Sequence, residues 1–139
     1  MTDARIINPK EWPKPIGYSN GVVASGPMLY LGGQVAFDTK GEVVGEGDLV
    51  LQFEQVMKNL QTVCKAGGSS LKDVVKLTIF VQDRDDYKAK GRELGAVYRQ
   101  YFGRHYPAMT LVEVARFYET KVLIEIEGIA VADRSCDND

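Results

Sequence analysis

The chain has 139 residues, of which 45% are hydrophobic and 26% charged, with a formal net charge of −2. That length suits one domain over 1–139 with one substantial core, and the charge balance gives no basis for a nucleic-acid or membrane partner held by bulk electrostatics. A single histidine excludes a multi-His metal site within the chain, and no apolar run approaches the ~20 residues needed to span a bilayer.

The first 17 residues hold Pro9, Pro13 and Pro15 and read as an extended arm. They lack the apolar core of a signal peptide, so a cytoplasmic protein is expected. Gly21 to Ala24 and Met28 to Phe37 read as two strands joined at Ser25-Gly26-Pro27, a hairpin. Gly32-Gly33 falls inside the second strand, where a missing side chain marks a bulge or the close approach of a ligand. Asp38 to Gly47 is a polar loop, and Asp48 can cap the helix that follows. In that helix Phe53, Val56, Met57, Leu60, Val63 and Cys64 recur at helical spacing, and Gly67-Gly68 supplies its stop.

Val74 to Val81, rich in β-branched residues, reads as a largely buried strand. A second helix is expected from Asp83 to Phe102, with Tyr87, Leu94, Val97, Tyr98, Tyr101 and Phe102 on its apolar side. Gly91 and Gly95 in its interior each cost about 1 kcal/mol relative to Ala, which close packing or a substrate-facing gap could offset. Two strands follow, near Thr110 to Arg116 and Lys121 to Ala132, and Asp133 to Asp139 forms a polar, frayed tail. Glu125 and Glu127 share one side of the last strand, opposite Ile124 and Ile126. Cys64 is expected in the core, and Cys136 in the tail completes no metal or disulfide pattern.

The order ββ-α-β-α-ββ defines an α+β class: a mixed sheet with two helices on one face. The uncovered face carries apolar side chains and predicts self-association.

Landmarks spread over most of the chain carry a resemblance. They are Gly17-Tyr18-Ser19, Gly33-Gln34, the Gln52…Asn59-Leu60 helix, Ala66-Gly67-Gly68 with Asp73-Val74-Val75-Lys76, Tyr98…Phe102, Pro107-Ala108, and Ile124-Glu125-Ile126-Glu127 with Ile129-Ala130. In this order and spacing they resemble the Rid (YjgF) family of enamine/imine deaminase-like proteins. The resemblance implies a chorismate-mutase-like fold, a homotrimer with a central barrel, and small-molecule ligands in clefts between subunits. It implies no cofactor and no metal. It makes Glu125 the catalytic residue that orients the attacking water, and assigns Tyr18 and Gly33 to the cleft.

The same resemblance marks a departure. Family deaminases carry an Arg that grips the substrate carboxylate, and here that position is Met109, followed by Thr110 and Leu111. A thioether cannot replace a guanidinium fork. Gly95 stands where the family has an asparagine and Gly32 where it has a serine, so the expected pocket is larger and less polar. Arg104 and His105, in the loop before Met109, are the nearest candidate replacements. Arg116 falls on the opposite side of an extended strand, and Arg92 and Arg99 read as surface charges. The expected function is a deaminase-type hydrolase of altered specificity, with a non-catalytic metabolite-binding trimer as the alternative.

Overall fold

The computed structural model describes residues 4–133. The chain runs β1 (Arg5–Ile7), β2 (Gly21–Val23), β3 (Met28–Gln34), α1 (Leu49–Ala66), a 3₁₀ turn (Leu71–Asp73), β4 (Val74–Val81), α2 (Arg84–Ala89), α3 (Gly91–Phe102), β5 (Ala108–Glu113) and β6 (Ile124–Val131). The main sheet has the order β3-β6-β4-β5, with β4 and β5 parallel and β6 antiparallel to both its neighbours.

One expected pairing is corrected. The hairpin read across Ser25-Gly26-Pro27 does not form. β2 instead turns back onto β1, pairing Arg5 with Val23 and Ile7 with Gly21. Asn8 closes that small sheet, its Oδ1 accepting from the backbone and side-chain nitrogens of Asn20 at 2.8 and 3.0 Å. The arm is therefore partly a strand. β3 finds its partner at the far end of the chain, Leu29 opposite Ala130 and Leu31 opposite Gly128. The last two strands are not neighbours either, because β4 lies between them. β5 joins β4 through a helical crossover, the connection a parallel pair requires.

The second helix is two. Asp83 caps α2, its Oδ1 accepting from the Asp85 and Asp86 amides, and the chain bends at Lys90-Gly91 before α3 begins. Glycine and an uncapped start make that junction a weak point for continuous helix. Cys136 and most of the expected tail lie outside the described residues. Asp133, at its start, donates its amide to the Gly68 carbonyl at 2.7 Å.

α1 forms as its spacing predicts. Asp48 accepts from the Leu51 amide at 3.0 Å, and Gly68, with φ of 74°, takes the left-handed turn beyond Gly67. Phe53, Val56, Met57, Leu60 and Cys64 are buried against Leu77, Ile79, Ile124 and Ile126, which form the helix-covered face of the sheet. The opposite face is open. It presents Phe80 beside Glu125 and Thr78 beside Glu127, with Tyr30, 73% exposed, beside Ile129. Polar and aromatic groups mix on that face.

Two polar side chains of α1 place the segments around the sheet. Gln52 is fully buried; its Nε2 donates to the carbonyls of Gly45 and Lys121 at 3.2 and 2.8 Å, and its Oε1 accepts from the Leu123 amide at 2.9 Å. Asn59 donates through Nδ2 to the carbonyls of Val35 and Phe37 at 2.9 and 3.0 Å. Each satisfies loop groups that would otherwise be costly to bury. Together they hold the approach to β6 and the exit from β3.

Candidate active site

The expected bulge is present at Gly32-Gly33. Leu31 pairs with Gly128 and Gln34 with Ile126, so two residues of β3 sit opposite one of β6. The two glycines differ in what surrounds them. A Cβ on Gly32 would meet nothing within 4 Å, whereas one on Gly33 would lie 2.9 Å from Glu125 Cδ and closer still to Oε2. Glycine at position 33 is what lets the Glu125 carboxylate lie against the β3 backbone. Glu125 also lines an open cavity of about 310 Å³ with Phe80, Arg116, Tyr118 and Glu127. Arg116 thus falls on the face opposite Met109, as its spacing predicts.

Met109 stands beside Leu77 on the helix-covered side of β5, with Leu111 two residues on beside Ile79. Thr110 points the other way, its hydroxyl accepting from Lys76 Nζ at 2.9 Å. Met109 lines a cavity of about 330 Å³ between β5 and the two short helices, with Tyr87, Leu94, Gly95, Arg99 and Tyr106 among its walls. Tyr18 is brought to the same end of β5 by Ser19. The Ser19 hydroxyl donates to the Tyr106 carbonyl at 2.6 Å and its amide to Pro107 at 3.1 Å. Tyr18 itself lines a neighbouring cavity of about 560 Å³ with Trp12, Lys14 and Tyr106.

The residues assigned from the sequence therefore fall into two groups within one chain. Gly33, Glu125 and Thr110 belong to the open face. Met109 and Leu111 lie on the covered face, and Tyr18 stands at the β5 end of that side. Met109, Thr110 and Leu111 are all on the β5 edge of the sheet, while Gly33 is on the β3 edge and Glu125 on β6 beside it.

Of the candidate cations, His105 is committed elsewhere: its Nε2 donates to the Val74 carbonyl at 2.6 Å, and its ring lies near Phe102. Arg104 is exposed. Arg99, read as a surface charge, is exposed and also lines the Met109 cavity. Tyr87 and Tyr106 are further cavity residues that sequence reasoning passed over. Burial raises the Tyr87 phenol above its ordinary range. Burial, with Tyr106 and Tyr87 nearby, does the same to Tyr98, which donates to the His105 carbonyl at 2.7 Å and stacks between Phe102 and Tyr106. Both phenols are held in the protonated form, and Tyr98 acts as a donor. Among the described residues there is no group of three or more His, Cys, Asp and Glu that could hold a metal ion. None of their helices is long and apolar enough to cross a membrane.

A small α+β domain with this mixed sheet, helices on one face and a glycine bulge holding a carboxylate has the architecture of Rid/YjgF proteins. Residues 10–132 match the endoribonuclease L-PSP family model, and the chain belongs to that family, the one that includes the Rid proteins. It is 40% identical over 126 residues to a RutC family protein of Pyrococcus horikoshii, covering 90% of this chain and 95% of that one. It is 30% identical over 133 residues to the 2-iminobutanoate/2-iminopropanoate deaminase of Dermatophagoides farinae, covering 96% and 100%. Among solved structures it is similar to YyfB of Yersinia pestis, a Rid-family protein of unknown function, with a TM-score of 0.80 and 34% identity over 93% of this chain and 98% of that one.

Proposed function

We propose that this protein is a Rid-type hydrolase that deaminates an enamine or imine in clefts formed between copies of the chain. The observation that carries this reading is the Glu125 carboxylate lying against the Gly33 backbone at a bulge. In the proposed reaction the enamine first tautomerises to the imine. Glu125 then takes a proton from a water as its oxygen bonds to the imine carbon. The resulting carbinolamine collapses: its C–N bond breaks, the nitrogen leaves as ammonia after protonation, and the carbonyl remains. The net change is one water consumed and one ammonia released.

The two groups of site residues support a site shared between copies. Met109 and Leu111 are on β5, one edge of the sheet, and Gly33 is on β3, the other edge. Closing three such sheets into a ring would bring the β5 edge of one copy to the β3 edge of the next. The relative from Dermatophagoides farinae, a 2-iminobutanoate/2-iminopropanoate deaminase, supports the chemistry. Met109, where the resemblance calls for an Arg, makes the specificity of this chain its own.

The test is Glu125→Gln. Ammonia release from a panel of enamines and imines should fall by about 100-fold or more, the scale of a lost general base, while sedimentation still reports a trimer. Wild-type turnover in that variant would remove Glu125 from the mechanism. Met109 also favours a second reading, a trimer that binds a metabolite without converting it. Ligand-induced thermal stabilisation without product, in the unmodified protein, would establish that reading over the first.

A further inference from the structure

We infer that Arg99 is the anion-binding residue of this cleft, moved from the strand to helix α3, and that Gly95 is the residue that makes room for it. This rests on the proposed function, which it deepens by naming the ligand class: small acids with a short apolar body.

Gly91, Gly95 and Arg99 follow one another at four-residue intervals on α3, so they stack along one face. Helical side chains lean toward the helix N-terminus, which carries Arg99 back over Gly95. A Cβ on Gly95 would lie 3.2 Å from Arg99 Nη1 and 4.0 Å from Cζ, and one on Gly91 would meet nothing within 4 Å. Gly95, unfavourable in a helix by about 1 kcal/mol, leaves a groove over which the guanidinium lies. That groove is one wall of the Met109 cavity. The cation missing at Met109 is thus replaced across the cavity, and a side chain at position 95 would displace it.

No described residue pairs with that cation, which is exposed. Among the described residues the Arg99 side chain takes part in no hydrogen bond and no ion pair, and the hydroxyls of Tyr87 and Tyr106 are likewise without partners. A guanidinium and two tyrosines with unpaired hydroxyls therefore line a cavity whose apolar walls include Ile16, Phe53, Ile79, Leu94 and Met109. The guanidinium can only donate, so it calls for an acceptor, and a carboxylate can take both of its prongs. The volume of about 330 Å³ lies at the low end of small-molecule sites, fitting an acid of a few carbons.

The experiment is calorimetric titration with 2-oxobutanoate and with its uncharged primary amide, on the unmodified protein, Arg99→Gln and Gly95→Ala. The unmodified protein should favour the acid over the amide. Arg99→Gln should weaken acid binding at least about tenfold, the loss expected for a charge-assisted pair, and leave the amide unchanged. Gly95→Ala should also weaken acid binding while raising Tm, because alanine favours the helix yet pushes Arg99 aside; a merely structural role predicts no such opposition. Equal affinity for acid and amide, undetectable acid binding, or full acid affinity in Arg99→Gln would each overturn the inference. Glu125→Gln separates it from the reaction itself, since that variant should still bind the acid. Acid binding without ammonia release from any enamine or imine by the unmodified protein would defeat the proposed hydrolysis and leave the Arg99 assignment standing.

Discussion

Gly32 and Gly33 are adjacent in one bulge, and the proposed chemistry predicts opposite outcomes when each is changed to alanine. Neither has a positive φ, so the backbone accepts alanine at both positions and only space differs. At Gly33 the new Cβ would lie 2.9 Å from Glu125 Cδ, while comfortable carbon–carbon separation begins at about 3.5 Å. The carboxylate must therefore move by roughly 1 Å. It is the end of a flexible side chain, so the fold should lose only about 1 kcal/mol, the scale of an off-rotamer torsion. Activity should fall far more, by about 100-fold, since misplacing a reacting group by that distance has this effect. Gly32→Ala meets nothing within 4 Å and should leave both stability and turnover near those of the unmodified protein. Urea unfolding and ammonia release measured side by side on the two variants give the comparison. Equal activity in the two variants, or a Gly33→Ala protein as active as the parent, would refute the claim that this carboxylate position matters.

Gln52→Leu should destabilise the fold by ~2–4 kcal/mol in chemical denaturation, because burial would leave the Leu123 amide and the Lys121 carbonyl without their partner. Gly128→Ala should cost about 1–3 kcal/mol by the same measurement, since its Cβ would press 2.6 Å from the Lys76 carbonyl oxygen in the middle of the sheet. Stability should also fall at alkaline pH. Burial, with the charge of Asp73 adding to it, pushes the Cys64 thiol from 9.0 up to about 11. The folded state therefore holds this proton more tightly than the unfolded chain. The contribution is complete below about pH 9 and is lost as pH rises through about 11, amounting to at most ~3 kcal/mol. Denaturation from pH 8 to 11 should show the decline, and Cys64→Ala should remove part of it.

Much of the fold is legible in the residue pattern, where local chemistry is decisive. The spacing of Phe53, Val56, Met57, Leu60 and Cys64 identifies α1 and its buried face, and Asp48 and Gly68 mark its ends. Gly32-Gly33 signals the bulge, and the alternation of Ile124, Glu125, Ile126 and Glu127 assigns each to its face. Strand partners are not legible in the same way. β2 and β3 look like a hairpin because a turn joins them, yet hydrophobic alternation says which face a strand buries, not which strand it pairs with. β3 pairs with β6 from the other end of the chain, and β6 separates β4 from β3.

The site divides along the same line. Residue type and order alone were enough to mark the family, to single out Gly33 and Glu125, and to flag Met109 as the position where the resemblance calls for an Arg. Which cation borders the Met109 cavity was decided in three dimensions. His105 is nearest in sequence and is held by the Val74 carbonyl, while Arg99, ten residues upstream of Met109, reaches the same cavity. The reason is geometric: α3 packs beside α1, and Gly95 lacks the Cβ that would crowd the Arg99 guanidinium. Helical spacing can place Gly91, Gly95 and Arg99 on one stripe, but only the tertiary structure, in which α3 packs beside α1, tells that this exposed stripe also borders the Met109 cavity.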